Sequence, residues 1–358
     1  MKAGFIDDIH ISSGSSTISG TPTSSSNVKL AGEITAQTSV AINTLNLDSH
    51  DVALGSGQTL TVNGILQSGG SATISGGNGI TYGGSGGETD LVIRTDTESD
   101  FLIISNSIFA PNLTKSGEGV LLLSGSNDIG GTTAINSGVL VAANNSALGL
   151  GSVTVKTGGI LVAASGVTLG NVLHLQGGLY AKTVDSGGSF NLKAASQFSG
   201  GRDTTAEILG GIASSDTSLE NMFWETSDAL NDTLRLTDVY SFQGTGSDIF
   251  VLQLSISSLN SDSYLGWLDA DTGSDTYNQW INAVEGNSGG TPTFFARGYN
   301  AATDFHLGYY GVDVSTGSAW AVLDHNSDFT IIPEPSTWGL LMGASLVLLN
   351  ARRRRQTR

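Results

Sequence analysis

The chain has 358 residues, 49 of them Gly and none Cys, and a formal net charge of −17. Without Cys there are no thiol nucleophiles, thiolate metal sites or redox motifs, and without a basic patch outside the last residues a nucleic-acid partner is excluded. Charged residues make up 13% and hydrophobic residues 39%, the latter in short Val/Ile/Leu runs, so the chain is expected to be all-β, with many short strands and Gly-rich turns.

The first 30 residues carry neither a basic n-region nor an apolar h-region of a secretory signal. Lys2 is followed by Phe5, Asp7, Asp8 and a Ser/Thr-rich stretch. Two explanations stay open: a cytosolic protein, or a reading frame that begins upstream of Met1. The tail described below favours the second.

Across residues 1–200, apolar alternations recur: Asn43-Thr44-Leu45-Asn46-Leu47, Leu60-Thr61-Val62, Ala72-Thr73-Ile74, Val120-Leu121-Leu122-Leu123, Gly138-Val139-Leu140-Val141, Val153-Thr154-Val155 and Gly159-Ile160-Leu161-Val162. Gly pairs such as Gly69-Gly70, Gly130-Gly131 and Gly158-Gly159 separate them. Strands this short at this spacing suit a sandwich, a barrel or a solenoid. An internal repeat decides for the solenoid, in which rungs stack their apolar faces and Gly turns the corners.

The best-marked unit is 113–149. It opens Leu113-Thr114-Lys115-Ser116-Gly117-Glu118-Gly119, continues through Val120–Leu123 and Ser124-Gly125-Ser126-Asn127 to Gly130-Gly131-Thr132-Thr133, and ends Gly138-Val139-Leu140-Val141 and Ala147-Leu148-Gly149. This resembles the autotransporter-associated β-strand repeat, with Ile129 where an aromatic is usual and Asp128 where Thr is common. The resemblance implies a right-handed parallel β-helix in an exported, passenger-like region. A β-helix enzyme would need clustered acids, or an Arg/Lys base near acids. Asp96, Glu98 and Asp100 would share one face of a strand, but no neighbouring rung supplies acids to meet them, and a solvated face is the plainer role.

Composition shifts near Gly200-Gly201. Residues 201–330 hold 18 acidic and 3 basic residues, and four of the five Trp. Strands are expected at 233–239, 249–256, 293–296, 307–314 and 319–323, with one helix over Asp275–Val284 capped by Asp275. Together these suggest a small β-sandwich-like domain docked on the open end of the solenoid, whose last rung otherwise exposes unpaired backbone. Phrases such as Asp248–Gln253 and Trp320–Phe329 resemble the segment that precedes the sorting tail in repeat-bearing surface proteins, a resemblance that adds architecture and no activity. Asp269, Asp271 and Asp275 loosely follow a calcium loop, although Trp280 stands where the bidentate Glu belongs; the alternative is a solvated loop. His325 with Asp324, Ser327 and Asp328 offers triad residue types, but neighbours on one strand cannot converge. Exposed Trp and Tyr would stack on sugar rings, and core packing is their commoner fate.

The tail, 331–358, has three parts: Pro333-Glu334-Pro335; an apolar run containing Trp338, Leu340, Leu341, Leu346, Val347, Leu348 and Leu349; and Arg352, Arg353, Arg354 and Arg355. An apolar helix of about 12–14 residues spans roughly 20 Å, short of the roughly 30 Å hydrocarbon core, and the Arg cluster places its own side in the cytoplasm. The order resembles the PEP-CTERM sorting signal, in which a membrane enzyme of the exosortase class recognises Pro-Glu-Pro and processes the tail. A single-pass tail anchor is the alternative.

The sequence thus leads to an all-β protein: right-handed parallel β-helix (1–200), small β-sandwich-like domain (201–330) and C-terminal transmembrane/sorting helix (331–358). Its expected role is a structural or adhesive protein of the bacterial cell surface or extracellular matrix, with the tail helix in the inner membrane before processing. Its expected partners are the exosortase and surface glycans, with no cofactor beyond weak Ca²⁺. The rivals are a β-helix glycan lyase or hydrolase on the same tail, and a calcium-dependent glycan binder.

Overall fold

Short strands that alternate inward and outward residues can bury their apolar face only by stacking on the next coil of the same kind. The computed structural model shows this arrangement. It describes residues 9–12, 15–84, 90–184, 189–196, 204–212, 218–225, 229–230, 235–243 and 248–333.

Each early rung contributes one strand to each of three sheets. Thr44–Asn46, Val52–Leu54 and Thr59–Val62 make up one such rung, and Gly64–Gln67, Ser71–Gly76 and Gly79–Tyr82 the next. The strands of successive rungs pair in parallel. Leu113 lies beside Thr133, Thr133 beside Val153 and Val153 beside Leu173, so the later rungs repeat every 20 residues. The third sheet ends with Asp128–Ile129, and in the next rung a turn that buries Ala147 and Leu148 takes its place. All seven sequence-predicted strands of this region are present, and Val120–Leu123 has the predicted bounds.

The core is a set of columns running along the solenoid. Leu45, Ile65, Ile93, Ile135, Val155 and Leu175 form one of them, each fully buried. Full burial of such a side chain stabilises by about 1.5–3 kcal/mol, and each member depends on a neighbour in the adjacent rung.

Both long sheets continue into the C-terminal region, where the pairing turns antiparallel. Leu179–Val184 pairs with Ser218–Glu225, and Ser189–Ser196 with Thr205–Ile212. Further antiparallel strands extend the first sheet through Ile249–Ser255 and Ser318–Leu323 to Tyr309–Asp313, and the second through Val239–Gln243, Ser327–Pro333 and Ser263–Leu268 to Trp280–Asn282. One cluster of buried side chains runs from Ile18 to Ile331. The compositional boundary at Gly200-Gly201 falls outside the described residues, and on its far side the same two sheets carry on.

Two local expectations are corrected. The helix expected over Asp275–Val284 is a series of turns, a short strand (Trp280–Asn282) and a 3₁₀ turn (Ala283–Gly286). Asn278 sits at φ 57°, in the left-handed region, which a right-handed helix excludes. The 3₁₀ turn is capped instead by Asn282, whose side chain accepts from the Val284 amide at 3.3 Å. The stretch Asp96–Asp100 is a turn between strands, so its acids share no strand face.

Candidate functional site

One acid of the solenoid is committed to a corner and another to an ion pair. Asp100 is 1% exposed. Its carboxylate accepts from the Thr97 amide at 2.7 Å, from the Thr97 hydroxyl at 3.0 Å and from the Gly70 amide of the preceding rung at 2.8 Å. Burial pushes its pKa up, but these hydrogen bonds prevail and hold it below the ordinary carboxylate value. Asp96 lies 2.5 Å from Arg94 in a half-exposed ion pair, and Glu98 is exposed. The expected solvated face therefore holds for Glu98 and fails for Asp100, which ties one rung to the next.

A functional group that sequence reasoning passed over is Lys115. It occupies the inward column between Ile93 and Ile135 and is fully buried. Its ammonium donates to the carbonyls of Ser116 (2.9 Å), Gly117 (2.9 Å) and Ser137 (3.2 Å). Burial, with the charge of Arg94 adding to it, pushes its pKa down to about 8. The signal available in the sequence was a lone Lys at an inward position of an otherwise apolar strand.

The aspartates proposed for calcium serve the loop around them. Asp269 is 3% exposed and accepts from the Asp271 amide at 3.0 Å and the Thr276 hydroxyl at 2.6 Å. Asp271 accepts from the Gly273 amide at 2.9 Å. Among the described residues, no group of three or more His, Cys, Asp or Glu is placed to hold a metal ion, so Asp269, Asp271 and Asp275 do not assemble into a cage. Hydrogen bonds from Ser274 and Thr276 hold the Asp269 carboxyl below its ordinary value.

The triad residue types do not lie on one strand: Asp324 and His325 sit in the turn between Ser318–Leu323 and Ser327–Pro333, and Ser327 and Asp328 open the second of these. His325 Nε2 lies 2.8 Å from the Ala283 carbonyl, with its ring against Trp267 and Phe329, while Asp324 accepts from the Ser288 amide at 3.0 Å. Trp280 and Trp320 are buried, at 2% and 0% exposed, so their rings are core, not a sugar platform. Trp320 Nε1 donates to the Arg297 carbonyl at 2.8 Å. The segment around it is closed by a clamp that the sequence did not reveal. The Arg297 guanidinium meets Asp304 at 2.5 and 2.8 Å, and Asp304 also accepts from the Asn300 amide at 2.9 Å. Arg297 is the main cause that holds the Asp304 carboxyl well below the carboxylate range.

On the solvent side, the second sheet has an apolar face. Phe101, Val120, Val139 and Ile160 stack in one column, all half-buried. Ile103, Leu122, Val141 and Val162 stack in the next. At the same level the outward residues of the first sheet are Thr114, Ala134 and Thr154.

Of the sorting motif, Pro333 is the last residue of the strand Ser327–Pro333, opposite Ser263. Glu334, Pro335, the apolar run Trp338–Leu349 and Arg352–Arg355 lie outside the described residues. Among the described residues no helix is long and apolar enough to cross a membrane.

The family model of the passenger-associated-transport-repeat matches residues 113–142. These residues form the rung from Leu113 to Ile129 and the first two strands of the next. No curated protein and no solved structure matches the chain. A parallel β-solenoid carrying this repeat fits a surface-displayed, passenger-like structural protein.

Proposed function

We propose that this chain is an exported structural or adhesive protein of the bacterial cell surface or extracellular matrix, sorted by an exosortase through Pro333-Glu334-Pro335. The observation that carries the reading is the continuous solenoid with a passenger-type repeat in its middle rungs. The order of motif, apolar run and Arg cluster, starting at the last residue of the final strand, supports the sorting part. We read the chain as non-catalytic. In support, Asp96 and Asp100, the acids an enzyme on this scaffold would draw on, pair with Arg94 and with corner amides. Surface glycans are the partner class in this reading, and the membrane holds the tail until it is processed.

The test is to express the gene with its native upstream sequence in an exosortase-bearing host and shave intact cells with protease. Surface-accessible protein, retained in the membrane unprocessed when Pro333, Glu334 and Pro335 are changed to Ala, is the expected result. Protein that stays protease-protected in the cytoplasm, or is processed identically without the motif, would sink the proposal.

A further inference from the structure

Outward positions on a β-solenoid normally carry polar or small residues, as Thr114, Ala134 and Thr154 do on the first sheet and Ser71 and Thr73 do on the second. Strand propensity alone does not require more, because Thr is as good a strand former as Val on a half-exposed surface. From Phe101 onward the second sheet departs from this rule, and its two outward columns are apolar through four successive rungs. Within the described residues these strands are hydrogen-bonded in parallel to their rung neighbours.

We infer that this face is a docking surface for a second copy of the chain, packed face to face about a two-fold axis. Three observations commit it to that occupant. The face is regular: the parallel register brings like positions together in four successive rungs, with rungs about 4.8 Å apart and columns about 7 Å apart, so it matches itself in the aligned packing of two sheets about 10 Å apart. It is uncharged: no Asp, Glu, Lys or Arg occurs in Phe101–Ile104, Val120–Leu123, Gly138–Ala142 or Gly159–Ala163. In a chain of net charge −17, two copies repel over most of their surface, and this is a place where they meet without burying charge. Its extent is that of the apolar centre of such an interface, not of the whole. Four rungs and two columns give an apolar area on the order of 300 Å², the scale of a functional patch on a monomer. A stable interface needs about 800 Å² per partner, so the columns form the apolar centre, and the strand ends around them, among them Ser105, Ser124 and Ser137, supply the polar rim. Val139 and Val141 lie near the middle of the face and so near the axis. Isologous pairing of this kind closes at the dimer. It requires no particular cellular location, so it stands or falls separately from the sorting reading.

The test is sedimentation velocity of the full chain over a concentration series, for wild type, Leu122→Glu/Val141→Glu and the control Thr114→Glu/Thr154→Glu. Wild type and control should pass from monomer to dimer with rising concentration, and the first variant should associate at least tenfold more weakly with an unchanged circular dichroism spectrum. Wild type that stays monomeric throughout, or a Leu122→Glu/Val141→Glu variant that associates as wild type does, overturns the proposal. The latter outcome assigns association to another surface, the apolar tail included, which is the same in all three proteins. Should the variant lose its spectrum, the Cys-free chain offers a second reading. Val141→Cys should be captured as a dimer by a short bis-maleimide linker while Thr114→Cys is not. Equal capture of the two, or capture of neither, counts against the face.

Discussion

The side chains that decide most about this protein are polar ones placed where apolar ones would be expected. Lys115 interrupts an aliphatic column, its stem packing with Ile93 and Ile135 and its ammonium reaching the corner carbonyls. Burial holds its pKa near 8, against about 10.4 in an unfolded chain. Between those values the unfolded state binds a proton that the folded state lacks, so stability rises with pH across the window. From pH 7 to 9.5 the gain from Lys115 is about 2 kcal/mol, and Lys115→Met should lose it while keeping the gain of the same sign from Lys182, whose pKa burial also lowers. Urea unfolding of both proteins at the two pH values checks this, and a pH-independent difference between them would refute the assignment. The window stops short of pH 10 because buried Tyr180 and Tyr240, whose pKa values are raised by burial, act in the opposite direction above it. Asp100 and Asp304 illustrate the same rule for anions, each buried and each supplied with enough donors to stay charged.

At the level of the rung, spacing is set by how closely two corners approach. A Cβ on Gly151 would lie 1.5 Å from the Gly131 carbonyl oxygen of the preceding rung, whereas one on Gly130 would meet nothing within 4 Å. Both glycines serve corners and look alike in the sequence. Gly151→Ala should therefore cost about 1–3 kcal/mol or more through overpacking, and Gly130→Ala should stay within about 0.5 kcal/mol of wild type. Thermal unfolding of the two variants measures the contrast, and equal melting temperatures would show that the corner relaxes. Side-chain ladders reinforce the stacking: Asn63 donates to Asn43 and Asn43 to Asn27, each at 3.0 Å. Such ladders fix register in rungs whose strands are only three or four residues long.

Over the whole molecule, two sheets and one core join the parallel solenoid to the antiparallel end. Solenoids fold and unfold through nearest-neighbour contacts, and here the last parallel rung is hydrogen-bonded directly to the antiparallel strands. The antiparallel strands thus meet the need, read from the sequence, to cover the open end of the array. All five Trp lie beyond residue 200, so their fluorescence reports the C-terminal region while far-UV circular dichroism reports mainly the solenoid. Coincident midpoints in denaturant are the expected result; two separated transitions would mean that the regions unfold independently, against the shared core.

What the sequence determined was local. Alternation over three to five residues, Gly at the corners and the 113–149 unit are short-range features, and they were enough for strands, rungs and the parallel solenoid. The strands expected at 249–256, 293–296, 307–314 and 319–323 were legible for the same reason, since alternation does not depend on partner or direction, whereas Ser263–Leu268 was missed and Trp280–Asn282 was read as helix. Only the tertiary structure decided the rest. In Val120-Leu121-Leu122-Leu123 both faces are apolar, so periodicity cannot say which is inside; pairing with Phe101–Ile104 turns Leu121 and Leu123 into the core and leaves Val120 and Leu122 outside. Asp100 reads as a surface charge, and Lys115 is passed over, because their donors and acceptors come from turns and a neighbouring rung. The continuation of both sheets past residue 200 depends on contacts such as Thr237 with Thr330, 93 residues apart, and no local pattern encodes pairing over that distance.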